Sequence, residues 1–142
     1  MGRIEVSDIE KDIRRFLIPA LRRASMRFFI KVNKVKIYPR TEALRIARID
    51  RGMYKCASCL GVFGPKEISV DHIVPVVPLD DGIYDWNDYI NGLFVETNKL
   101  QVLCNPCHDI KTSIEDNLRL SSRKKKEINK KSKKKLVKKK KV

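Results

Sequence analysis

Long apolar runs are missing from this chain. No stretch approaches the roughly 18 consecutive apolar residues that a membrane span needs, and Met1-Gly2-Arg3-Ile4-Glu5 lacks the apolar stretch of a secretion signal. A myristoylation pattern is excluded as well, because Val6 stands where it requires Ser or Thr. The expectation is a soluble, intracellular protein with no membrane partner. Internal repeats at solenoid periods are absent. Aromatic residues make up only 7%, and 17 acidic residues face 32 Lys and Arg for a net charge of +15. Such an excess argues against ordinary small-molecule metabolism and suits a polyanion, nucleic acid ahead of an anionic membrane surface. The 142 residues suffice for one small domain with appendages.

The charge is unevenly placed. Residues 1–55 carry 15 basic and 6 acidic side chains (+9), residues 56–120 carry 4 and 10 (−6), and residues 121–142 carry 13 and 1 (+12). This predicts three parts: a basic helical extension over 1–51, a core over 52–120, and a disordered Lys-rich tail over 121–142, too poor in apolar groups to order itself. In the first part, Ile9, Ile13, Phe16, Leu17, Ala20, Leu21, Ala24 and Phe28 recur with a helical period behind a Ser7/Glu10 capping box. Pro19 should divide that segment into two helices or kink it at Ile18. Val35, Ile37 and Tyr38 suggest a short extended piece. A second helix is expected from a Thr41 cap through Ile49, with Gly52 ending it. Arg45 and Arg48 would share one face of that helix and could lie along a phosphate backbone; a solvated basic face explains them equally well.

Cys56-Ala57-Ser58-Cys59 and Cys104-Asn105-Pro106-Cys107 are two C-x2-C pairs. In a reducing compartment structural disulfides are rare, and a redox role would be expected of one such pair rather than two. Together the four thiolates can complete a tetrahedral structural zinc site. The 44 residues between the pairs exceed a short zinc ribbon, so something else is built between them.

The two histidines both sit beside organised features. His72 follows Asp71 in Val70-Asp71-His72-Ile73-Val74-Pro75, and His108 follows Cys107. A helix starting near Pro106 would place Cys107, Ile110, Ile114 and Leu118 on an inner stripe. His108 would then share a face with Lys111, Thr112 and Glu115, turned toward a neighbouring cleft.

Cys56-x2-Cys59, Asp71-His72-Ile73-Val74-Pro75 and Leu100-Gln101-Val102-Leu103-Cys104-x2-Cys107-His108 with Lys111-Thr112 together resemble an HNH endonuclease of the zinc-stabilised type, over about residues 52–112. Trp86-Asn87-Asp88-Tyr89-Ile90-Asn91-Gly92-Leu93-Phe94 and Arg51-Gly52-Met53-Tyr54-Lys55 are similar to HNH proteins of tailed phages. The resemblance implies an α+β fold with a ββα-metal core. It also implies His72 as general base, Asp71 and His108 as ligands of a catalytic Mg2+ or Mn2+, and the four cysteines as zinc ligands. The family's middle asparagine falls on Lys99, with Asn98 one residue early. A bulge would let Asn98 orient His72, or a backbone carbonyl would take its place. Lys111, one turn beyond His108, is a catalytic candidate against a solvated lysine. Asp71 and His72 are neighbours, so both serve one site only near a strand end.

The implied activity is metal-dependent hydrolysis of DNA phosphodiester bonds by a phage-encoded enzyme. Arg45, Arg48, Arg51, Lys124, Lys125 and Lys126 are the candidate nucleic-acid contacts, supplying sequence-independent attraction to phosphate. Two alternatives are a non-catalytic zinc module that binds nucleic acid and an accessory to phage packaging proteins.

Overall fold

A computed structural model describes residues 6–79 and 85–139. Residues 1–5 and 140–142, on which parts of the terminal readings fall, lie outside the described residues.

The first helix, α1, runs without a break over Val6–Ser25. Pro19 therefore interrupts the backbone hydrogen bonding without dividing the segment into two helices, and the helix has already begun at Val6, ahead of the expected Ser7 cap. Beyond it, β1 (Ile30–Val32) and β2 (Val35–Ile37) form a tight hairpin. Asn33 and Lys34 both take positive φ in its two-residue turn, the geometry that matches the twist of the flanking strands. The extended piece expected at Val35 is the second strand of that hairpin.

The next helix differs from expectation at both ends. α2 spans Pro39–Ala47, with Pro39 at its first turn and Tyr38 as an N-cap lacking a side-chain hydrogen bond. Pro39 needs no amide donor and has a preset φ, so it starts the helix before Thr41. The chain then leaves the helix, because Arg48–Asp50 (β3) pairs with Met53–Lys55 (β4), which pairs in turn with Val62–Phe63 (β5). Gly52 does not end a helix; it sits in the β3–β4 turn with φ +64. Arg45 and Arg48 thus lie on different elements and share no helix face.

The centre of the molecule is the pair β6 (Ile68–His72) and β7 (Leu100–Cys104), joined antiparallel over their whole length from Ile68↔Cys104 to His72↔Leu100. Between them run α3 (Trp86–Leu93), capped by the Asp85 carboxylate on the Asn87 N–H, and a 3-10 turn over Thr97–Lys99. β7 is the most buried element, with Leu100, Val102, Leu103 and Cys104 all in the core. Burying such a side chain contributes roughly 1.5–3 kcal/mol each.

A single 35-residue helix, α4, follows over Asn105–Lys139, about 52 Å long at 1.5 Å per residue. Its first turns lie on β6 and β7, whereas its side chains from Arg123 to Val137 are all exposed. Over 121–139 the expected disorder is therefore corrected to a helical extension. No Gly or Pro follows Pro106, and a helix anchored at its start propagates through good helix formers without a second nucleation cost. The expected inner stripe is also corrected: Ile110, Ile114 and Leu118 remain 60%, 56% and 46% exposed along an open groove.

Candidate functional site

The Cys56-x2-Cys59 turn leaves β4 and reverses sharply. Leu60 N–H donates to the Cys56 carbonyl at 3.1 Å and Cys56 N–H to the Gly61 carbonyl at 2.9 Å. Leu60 takes φ +63, and a Cβ on Gly61 would meet the Phe63 ring at 2.8 Å and the Cys59 sulfur at 3.4 Å. Cys104 ends β7, and Cys107 lies in the first turn of α4. Phe63, Leu103 and Cys107 pack with the buried Cys56 and Cys104.

All four sulfurs lie within 4.8 Å of one another, with Cys59 and Cys104 Sγ 3.8 Å apart. Four sulfurs at about 2.3 Å from a tetrahedral zinc would stand about 3.8 Å apart, so the cluster fits that ion. Burial pushes the Cys56 thiol up, but N–H groups at Cys104, Cys59 and Ser58 outweigh it and draw it down to about 6. The Cys107 N–H lowers Cys104, yet burial and the adjoining thiols push it up to about 12. The cluster thus favours one thiolate and resists further negative charge, which a cation would relieve.

A separate cleft of about 460 Å³ opens on the other side of α4's first turns. Asp71 and His72 enter from the end of β6, His108 and Lys111 from α4, and Arg22 and Arg40 from α1 and α2. The strand end resolves the difficulty with neighbours on opposite faces: His72 is the last residue of β6, and both side chains line this cleft.

His72 is buried, and its Nε2 lies 2.9 Å from the Leu93 carbonyl at the end of α3. A carbonyl oxygen only accepts, so the neutral ring carries its proton on Nε2 and keeps the Nδ1 lone pair. Burial lowers the His72 pKa most, with Arg40 and Lys111 acting the same way against the raising effects of the Leu93 carbonyl and Asp71. The net shift is downward, which keeps the imidazole neutral at pH 7.

Asp71 Oδ2 is buried and lacks a hydrogen bond of good geometry. The Lys111 ammonium lies 2.8 Å from it as an ion pair and 2.6 Å from Glu115 Oε1. Burial lowers the Lys111 pKa, but the Asp71 and Glu115 carboxylates beside the ammonium raise it overall. Arg40 donates from Nη1 to the Val70 carbonyl at 2.9 Å. Arg119 ties α4 to the segment after β6 through the Val77 carbonyl at 3.1 Å.

Over 64 residues the chain is 40% identical to a protein named probable HNH endonuclease, from Lactococcus phage SK1. The match takes in 45% of this chain and 60% of the phage protein, so it spans less than two thirds of that relative. No family model matches the chain, and no solved structure matches it. The likeness supports the HNH resemblance read from the sequence and suggests a nuclease.

Asp71, His72, His108 and Lys111 line this one cleft, with Lys111 on Asp71 and His108 Nδ1 3.9 Å from Asp109; Asn98 does not line it. Asn98 is exposed and lines a different, apolar cavity with Ala43, Ile46 and Val102. What touches His72 instead is the Leu93 carbonyl, a backbone group without a sequence signature. Arg45 is paired with Glu42 at 2.6 Å, Arg48 donates to the Asp50 carbonyl, and Arg51 sits in the β3–β4 turn. None of these three lines the cleft. Its cations besides Lys111 are Arg22, Arg40 and Arg119, which sequence reasoning missed because only the fold gathers them. Lys124, Lys125 and Lys126 lie on the exposed part of α4. No described helix is long and apolar enough to cross a membrane.

Proposed function

We propose that this chain is a metal-dependent, phage-encoded HNH endonuclease that hydrolyses phosphodiester bonds in DNA. The observation that carries the reading is the cleft itself: a neutral His72 whose Nδ1 keeps its lone pair lines it together with Asp71, His108 and several cations. In this reading β6, β7 and the first turns of α4 form the ββα-metal module, and the four cysteines hold structural zinc. Asp71 and His108 would hold a Mg2+ or Mn2+ ion, the carboxylate oxygen suiting either cation and the imidazole nitrogen favouring Mn2+ of the two. When bound, the ion would offset charge on the phosphoryl oxygens and on the departing 3′ oxygen.

The remaining work falls to the chain's own residues. Nδ1 of His72 accepts a proton from water as the water oxygen attacks phosphorus, and the bond from phosphorus to the 3′ oxygen breaks. The products are a 5′ phosphate and a 3′ hydroxyl, the latter taking its proton from solvent. The Leu93 carbonyl holds the base in the tautomer this step needs. Arg22, Arg40 and Arg119 draw the phosphate backbone into the cleft, and the basic face of α4 past residue 121 adds attraction that does not depend on sequence.

The test is incubation of supercoiled plasmid with purified protein and Mg2+ or Mn2+, beside His72→Ala. The expected result is nicked plasmid with 5′ phosphate ends, and a fall of roughly 10²–10⁴-fold in the variant with DNA binding retained. A wild-type protein that binds DNA yet fails to cut it with any divalent ion would instead be the non-catalytic zinc module.

A further inference from the structure

We infer that Lys111 is a built-in competitor for the cation of the cleft, and that Glu115 is the positioning residue that holds its ammonium clear of Asp71 when the ion binds. This inference rests on the nuclease reading.

One nitrogen serves two carboxylates from different elements. Lys111 Nζ stands 2.8 Å from Asp71 Oδ2 on β6 and 2.6 Å from Glu115 Oε1 one turn along α4. The three side chains are only 24%, 19% and 17% exposed, so solvent screens these contacts weakly. A divalent ion on either oxygen of Asp71 would put a second positive charge within a few ångströms of the ammonium on Oδ2. Ion and ammonium therefore oppose one another, and the ammonium is the mobile one. Its route is set by helix geometry: Glu115 lies four residues on and stays within reach whatever happens at β6. Arg119 approaches Glu115 less closely, at 3.8 Å, and its nearer partners are Asp116 at 3.0 Å and the Val77 carbonyl at 3.1 Å. Lys111 is therefore the closer cation on Glu115, on Oε1, with Arg119 farther off on Oε2.

Removing the ammonium and removing its second anchor should move cation affinity in opposite directions. The experiment titrates Mn2+ into the zinc-loaded full-length protein and follows free Mn2+ by electron paramagnetic resonance. Asp71→Ala marks the binding that belongs to the cleft, and zinc content with thermal unfolding checks every variant. Lys111→Met should bind Mn2+ about tenfold more tightly, with Lys111→Gln as a second variant should Met fail to fold. Glu115→Gln should bind about threefold more weakly, because Lys111 then has Asp71 as its remaining carboxylate. The double variant should match Lys111→Met, since Glu115 acts only through the ammonium.

Unchanged or weaker binding by the Lys111 variants overturns the inference. So does a double variant weaker than Lys111→Met, which would make Glu115 a direct ligand or a structural prop. Absence of any Asp71-dependent Mn2+ binding in the wild type sinks the nuclease reading together with this one, so the two failures are distinguishable.

Discussion

At the Cys104 end of the β6–β7 ladder, four sulfurs converge amid buried neighbours and backbone N–H groups. At the His72 end the same ladder delivers charged groups to a cleft open to solvent, where Asp71 is met by a lysine. The first end offers four sulfurs, two of them fully buried, and suits an ion that stays; the second keeps room for one that exchanges and for a phosphate beside it. α4 connects them, since Cys107 and His108 are consecutive residues of its first turns. A rigid sulfur cluster can therefore set where an imidazole points without taking part in the chemistry.

Breaking the sulfur end should have the largest effect. Cys104→Ser leaves an incomplete ligand set in the buried core, and binding a structural zinc of this type is worth on the order of 10 kcal/mol in small modules. The expected outcome is loss of zinc and of a cooperative unfolding transition, read by metal analysis and circular dichroism. A variant that unfolds like the wild type would mean that the cluster does not hold the fold.

Next in size is removal of the basic extension. Truncation after Leu120 keeps both ends of the ladder, so low-salt cleavage should survive. DNA affinity should fall and its salt dependence flatten, by about 0.9 in the log–log slope for each duplex phosphate that the extension had neutralised. Filter binding across a salt series measures this. A folded but wholly inactive truncation would show that the extension is more than an electrostatic arm.

The smallest expected change is the most informative about the open end. Asn98→Ala should leave the cleavage rate within about threefold of wild type, as a surface substitution remote from the base. A drop of a hundredfold or more would mean that Asn98, not the Leu93 carbonyl, orients His72.

These comparisons also indicate what a sequence can and cannot convey. The sulfur cluster was legible because C-x2-C spacing places two ligands on one local turn, whatever the rest of the chain does. Asp71, His72 and His108 stood out through motifs that flank that cluster, and the structure sets all three in the lining of one cleft. The carbonyl beside His72 was not, because Leu93 contributes through its backbone and reaches the site only by way of α3. Arg22, Arg40 and Arg119 lie far apart in sequence and look like any solvated arginine until packing gathers them. The helix expected from Thr41 through Ile49 stops at Ala47, because Arg48–Asp50 finds a strand partner in Met53–Lys55 that local spacing does not reveal. The stripe at Ile110, Ile114 and Leu118 shows the same limit: periodicity names a face, and only the surrounding structure decides whether it is covered.

The most direct measurement uses the zinc-loaded protein on supercoiled plasmid, stripped of loosely held divalent ions and then supplied with Mg2+ or Mn2+, with zinc content followed throughout. The account predicts no cutting before the addition, prompt nicking after it with zinc unchanged, and nicking slowed by roughly 10²–10⁴-fold in His72→Ala. Cutting that tracks zinc alone, or that is undiminished in His72→Ala, would contradict the assignment of hydrolysis to the open cleft.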